Sequence, residues 1–182
     1  DSLASGDILT TDLITKARIK ASLASPKVQP LRIEGQDYYV MFVHPWQAGD
    51  LKIDISSKWA QAQREAGERG RGNNIFTGAL GVWDGVIIHE HEYVPTAQAS
   101  ADFATSGTAV PVGVRAFRSI LCGRQALCHA EAKNPNNFVM KDDFDYFNAP
   151  GVATGMIGGI QKTAFNSVDY GVISVDTSAS TF

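Results

Sequence analysis

Cysteine is almost absent: Cys122 and Cys128 are the only two in 182 residues. Two are too few for a disulfide framework, and both are expected as free, partly buried thiols in a reducing compartment. No window approaches the ~18 consecutive apolar residues that a membrane span requires, so no membrane partner is expected. The first residues lack the basic stretch and apolar core of a secretory signal, and the opening at Asp1 suggests a processed, cleaved or truncated product. An excess of one charge is missing too. With 16 basic against 19 acidic residues the net charge is −3, and no segment concentrates Lys or Arg enough to hold a phosphate backbone directly.

What is present is the composition of an ordinary globular protein. Hydrophobic residues make up 44% and charged residues 19%, which leaves enough apolar surface for a sizeable core and argues against disorder. No internal repeat or low-complexity linker divides the chain, so residues 1–182 are expected to form a single unit.

Residues 73–94 carry the strongest local signal. Asp84-Gly85 between two apolar runs predicts a tight hairpin, because a type I′ turn needs positive φ at both central residues. Strand alternation beyond it puts Ile87, His89, His91 and Tyr93 on one face and Val86, Ile88, Glu90, Glu92 and Val94 on the other. Upstream, Thr10 or Thr11 can cap a helix carrying Leu13, Ala17, Ala21 and Ala24 at helical spacing, with Asp12 in its first turn and Ser25-Pro26 at its end.

Residues 31–33, a turn at 34–37 and the apolar run 38–43 read as two strands, the second covered on both faces. His44-Pro45 reads as strand end and helix start. Ser56 or Ser57 can cap a further helix over residues 58–66, stopped by Gly67. Residues 67–74 hold three glycines, Arg69 and Arg71, and are expected as an exposed or subunit-facing loop. Residues 95–113 form a second long irregular stretch. A strand over 114–122, a short helix over 124–132, and strands at 138–142 and 172–175 complete an α+β reading.

Candidate chemistry is sparse. His89 and His91 could supply two metal ligands, with His44 or His129 as a remote third, which would suit a metal-dependent hydrolase. Polar residues on both faces of a strand emerging towards solvent explain the same pattern, and Glu90 and Glu92 suit an exposed sheet edge. That structural reading is preferred. The segment 155–163, GMIGGIQKT, fails the phosphate-loop pattern on spacing, since Met156 and Gln161 stand where glycines are required before Lys162. Cys128 and His129 are neighbours in sequence, which does not make a catalytic pair. Asp142, Asp143 and Asp145 read as a solvated strand end. No active site, cofactor site or small-molecule substrate is expected.

The succession DYYVMFVHPWQAGDL, GNNIFTGALGVWDGVIIHEHEYV, YFNAPGVATGMIGGIQKTAFN and DYGVISVDTSA resembles the major capsid proteins of tailed bacteriophages, in the branch of certain podoviruses and many prophages. The resemblance covers most of residues 9–179 and only the later part of such proteins. It implies the Hong Kong 97-type capsid fold, mainly its axial domain, with a central mixed or antiparallel sheet flanked by helices. Residues from about 10–145 would be axial-domain-like and about 146–182 would return towards the peripheral domain. The N-terminal arm, extended loop and spine helix of the family have no counterpart in this stretch.

The implied function is that of a structural subunit of an icosahedral shell, made in the bacterial cytoplasm and located in the virion. Its partners would be copies of itself, as pentamers and hexamers of the complete protein, with packaged DNA contacted only indirectly. A cellular nanocompartment shell protein of the same fold is a close alternative. Subunit contacts are expected at Arg69, Arg71, Asn73 and Asn74, and in the loop 95–113, because ring-forming contacts join different surfaces of neighbouring subunits.

Overall fold

The computed structural model describes residues 3–33, 35–53, 79–97, 110, 113–140 and 151–179. The elements named below are drawn from those residues. The expected helix over 58–66 with its caps Ser56 and Ser57, the loop 67–74 and the acidic cluster Asp142, Asp143 and Asp145 lie outside them.

Helix α1 spans Thr11–Leu23. Its apolar positions recur at helical spacing, and Ile14, Ala17 and Ala21 are buried, while Leu13 and Ala24 pack against the same cluster from its margin. Thr10 holds the extended N-cap conformation without a side-chain cap hydrogen bond, so Asp12 in the first turn is left to answer the helix dipole. Small alanines on the buried face let the helix lie close to the sheet.

Strands β1 (Leu31–Ile33) and β2 (Gln36–Val43) form an antiparallel hairpin in which Ile33 faces Gln36. The turn is therefore tighter than the expected one, and Gln36 and Asp37 already belong to β2; Gly35 takes φ +84°, a region glycine enters without steric cost. Along β2, Tyr39, Met41 and Val43 are buried and the residues between them are half-buried. One face is thus fully covered and the other only partly. Helix α2, Pro45–Ile53, begins directly after His44. Pro45 at its first position loses no intrahelical hydrogen bond.

Strands β3 (Ala79–Trp83) and β4 (Val86–Glu90) flank the expected turn, with Trp83 opposite Val86. Asp84 has φ 46° and Gly85 φ 74°, the positive pair that a type I′ turn demands. Arg18 of α1 reaches this turn and bonds Asp84 at 3.0 Å, while Trp83 Nε1 donates to Thr15 Oγ1 at 3.1 Å. A Cβ on Gly85 would lie 3.4 Å from the Asp37 carbonyl oxygen. Replacing Gly85 with Val is expected to cost roughly 1–2 kcal/mol, because a β-branched residue is penalised at positive φ. Urea denaturation measures it, and an unchanged midpoint would remove the turn from the list of stabilising features.

β5 (Thr96–Ala97), β6 (Ala116–Cys122) and β11 (Val172–Ser178) complete a seven-stranded mixed sheet in the order β11-β6-β2-β4-β3, with β1 added on β2 and β5 on β6. β2 and β4 run parallel, which requires a crossover, and α2 lies in that connection. The other pairings are antiparallel. Leu9, Ile14, Met41, Val43, Leu51, Val86, Ile88 and Leu121 form the principal core between the sheet and the helices. Among the described residues, no helix is long and apolar enough to cross a membrane.

One buried side chain ties the layers together. Gln47 of α2 accepts hydrogen bonds from the His44 amide at 2.9 Å and the Ser119 hydroxyl at 2.9 Å, and donates to Thr177 Oγ1 at 2.6 Å and to the Phe117 carbonyl at 3.4 Å. It joins α2 to β6 and β11 with its polar capacity met.

The largest departure from expectation begins at Leu127. Residues 124–132 do not form a helix: β7 spans Leu127–Met140 and pairs antiparallel with β8, Gly151–Lys162. Gln125-Ala126-Leu127 and Ala130-Glu131-Ala132 are good helix formers by local propensity. Pairing with a strand tens of residues away overrides that propensity. The stretch 138–142, expected as a separate strand, is the far end of β7 as far as Met140, with residues 141 and 142 outside the described set. Two short strands, β9 (Ala164–Phe165) and β10 (Val168–Asp169), form a minor hairpin after β8.

Candidate functional site

The histidines singled out from sequence sit near the carboxyl ends of β2 and β4. His89 is the penultimate residue of β4 and lies 5.9 Å, ring to ring, from Phe42. His91 is beyond the strand, which ends at Glu90; its amide donates to the Val43 carbonyl at 2.9 Å and its Nδ1 accepts from the Tyr93 amide at 3.2 Å. The alternation expected to continue as far as Val94 therefore stops early. Nor is β4 an edge, since it is paired with β2 on one side and β3 on the other. Glu90 meets Lys52 of α2 at 3.4 Å, an exposed ion pair of small energetic weight.

His44 packs on Phe117 at 4.4 Å, and its Nδ1 accepts from the Trp46 amide at 3.3 Å. Burial holds its pKa below the ordinary imidazole value, Arg115 lowers it further, and Glu90 opposes the shift. His129, the other remote candidate, lies on β7 and faces Glu131 at 3.7 Å. Among the described residues no group of three or more His, Cys, Asp or Glu is placed to hold a metal ion. Protein purified without a histidine tag is expected to carry no stoichiometric transition metal; one bound ion per chain, lost when His89 and His91 are both replaced by Ala, would contradict this.

The two cysteines differ. Cys122 is half-buried in β6, where burial raises its thiol pKa and keeps it protonated. Cys128 is exposed on β7 rather than partly buried as expected. As sequence neighbours on a strand, Cys128 and His129 project to opposite faces, so thiol and imidazole do not converge.

The feature with the greatest functional content was missed by the sequence reading. Among the described residues, β7 and β8 form a two-stranded ribbon with no third strand, and every residue in it is exposed except half-buried Gly151. Directly opposed residues share a face and successive residues alternate. The register, Leu127 opposite Lys162, His129 opposite Ile160, Asn137 opposite Thr154 and Val139 opposite Val152, places Leu127, Val139, Val152, Met156 and Ile160 on one face. These five side chains are each 62–71% exposed. A hydrogen bond of 3.0 Å from Thr154 to Asn137 lies on that face, whereas Lys133 stands over the Phe138 ring, 4.7 Å from its centroid, on the other. Register shifts at Glu131/Lys133 and Lys133/Asn136 accommodate Pro135, which has no amide to give the ladder.

A lone two-stranded hairpin is at best marginally stable in water and needs a further layer against its apolar face. The signal for it in the sequence is the four-residue recurrence of Val152, Met156 and Ile160, an even spacing that puts all three on one side of a strand. The expected contact residues Arg69, Arg71, Asn73 and Asn74 lie outside the described residues.

Comparison with known proteins gives this geometry a context. A family model described as phage capsid protein matches residues 1–181. The major capsid protein of Pseudomonas phage KPP25 is 29% identical over 187 aligned positions, covering 97% of this chain and 48% of that protein. The capsid of Ralstonia phage GP4 superposes with a TM-score of 0.72 at 30% identity, covering 98% of this chain and 49% of that one. The capsid of cyanophage Pam1 superposes with a TM-score of 0.65 at 26% identity, again over 98% of this chain and 49% of the other. The chain spans about half the length of these relatives, and its mixed sheet with few helices is the fold of phage capsid proteins.

Proposed function

The chain belongs to the phage capsid protein family, and we propose that it acts as a structural subunit of a tailed-phage or prophage head, assembling with copies of itself into an icosahedral shell that encloses DNA. The observation that carries this reading is the superposition of 98% of the chain on the Ralstonia phage GP4 capsid at a TM-score of 0.72. Its physical counterpart among the described residues is the exposed apolar ribbon of β7 and β8. Shells need no active site. They need surfaces that close into rings, and modest individual contacts suffice when each subunit is held by several partners.

In this reading residues 1–182 act as one unit. The part from about 10–145, with most of the mixed sheet, is axial-domain-like, and the part from about 146–182 returns towards a peripheral domain. β11 is hydrogen-bonded to β6 along its whole length, so the returning strand stays attached to the main sheet as its outermost member. Subunit contacts at Arg69, Arg71, Asn73 and Asn74 belong to the same proposal. The protein is made in the bacterial cytoplasm, resides in the virion, meets packaged DNA only indirectly and uses neither cofactor nor small-molecule substrate.

Gradient sedimentation of the complete gene product tests the reading. Recovery of the protein in a sharp fast-sedimenting band supports it, and recovery wholly at subunit mass, under conditions where the protein is folded, overturns it.

A further inference from the structure

We propose that the apolar face of the β7–β8 ribbon is a docking surface for the same face of a second copy of this chain. The choice of a second copy rests on the shell-subunit reading, and three observations lead to it. Among the described residues, the exposed large hydrophobic side chains other than Ile19, Leu23 and Tyr93 all lie between Leu127 and Val168. Among the described residues, the exposed apolar surface that could match this face is that of the same stretch, on the two faces of the ribbon and at Phe165 and Val168 beside it, so a second copy of the chain carries the complement, and face against like face is the arrangement that closes as a dimer.

Charge gives the same direction. β7 and β8 carry only Glu131, Lys133 and Lys162 as charged side chains; Glu131 and Lys162 share the proposed face, and one charge of each sign leaves it no net field that would select an acidic or basic partner. Size fits as well. Fourteen residues of β7 make a face about 45 Å long and, with two strands, about 10 Å wide. Two such faces stacked as a minimal sandwich remove on the order of 1,000 Å² from water, which lies at the threshold of a specific interface and places the contact among weak, reversible ones.

Leu127, Val139, Val152, Met156 and Ile160 supply the buried centre of that sandwich. Gln161 projects from the opposite face, as its position one residue from Ile160 requires. Substitution on one face should therefore act on association while substitution on the other should not.

Sedimentation velocity of the 182-residue chain over a range of micromolar concentrations is the test. A concentration-dependent monomer–dimer equilibrium is expected, weakened about tenfold or more by Met156→Asp and by Ile160→Asp and unchanged by Gln161→Asp. Methyl NMR of the unsubstituted chain guards against unfolding of the variants: the Met156 and Ile160 methyl signals should move with concentration while that of the core residue Met41 stays fixed. A chain that is monomeric throughout, a dimer indifferent to both Asp substitutions, or ribbon methyls that ignore concentration would each overturn the assignment. Closed shells formed by the complete gene product in any of those cases leave the shell reading standing and remove the ribbon proposal alone.

Discussion

Replacing Gly171 with Ala is expected to destabilise the fold by about 3 kcal/mol or more, the sum of a left-handed backbone penalty and a steric overlap. Gly171 precedes β11 with φ +93°, and a Cβ there would stand 2.7 Å from the Gln125 carbonyl oxygen and 3.0 Å from the Ala126 nitrogen. Both neighbours are backbone and cannot rotate away. The position is also the joint between sheet and ribbon: the Gly123 amide donates to the Gly171 carbonyl at 2.8 Å, the Arg124 amide donates to the Gln29 carbonyl at 2.8 Å, and the Thr163 hydroxyl contacts the Gln125 and Tyr170 carbonyls. Adding one methyl group forces β11 away from the corner that starts β7. Urea denaturation measures the loss, and a change below about 0.5 kcal/mol, the range of an indifferent surface substitution, would show that the corner is loosely packed.

Replacing Gln47 with Leu should cost a similar amount, about 3 kcal/mol, because it strands several buried polar groups at ~1–3 kcal/mol each. Leucine approximates the volume of glutamine and adds apolar contacts within α2. It cannot answer the His44 amide, the Ser119 and Thr177 hydroxyls or the Phe117 carbonyl, all of which Gln47 bonds from a fully buried position. Adding Ser119→Ala to Gln47→Leu should cost less than the two single changes together, since one substitution removes the group that the other leaves unpaired. Additive losses would mean that water enters and replaces the side chain.

Both predictions concern features that the sequence does not advertise. Gly171 is one of 17 glycines, and only the approach of Gln125 from a distant part of the chain distinguishes it. Gln47 reads as a polar residue in a short helix, and its partners other than the His44 amide lie 70 to 130 positions further on. Asp84-Gly85 was legible because its chemistry is local: two residues that tolerate positive φ, with strand-forming residues on either side. His44-Pro45 was legible for the same reason, since Pro fixes its own φ and needs no partner.

The ribbon failed the same test. Residues 124–132 carry helix formers, and what makes the part from Leu127 onward a strand is the register with 158–162, which no window of local sequence contains. Pro135 would argue against a strand on its own, and it is tolerated because the register shifts around it. The segment 155–163 fails the phosphate-loop pattern on spacing, a test that is silent on the even spacing of Val152, Met156 and Ile160 along a strand. Family resemblance, resting on separated motifs in one order, supplied what periodicity could not. It gave the fold class before any pairing was known, and it left the candidate contact surface to the structure.

Electron microscopy of the complete gene product decides whether this chain builds a shell. Closed icosahedral particles are expected, in whose reconstructed shell the seven-stranded sheet, with α1 and α2 packed on it, fits each subunit without rearrangement. Folded, dispersed protein that forms no closed particles, or a shell whose density has no place for this sheet, would contradict the shell reading.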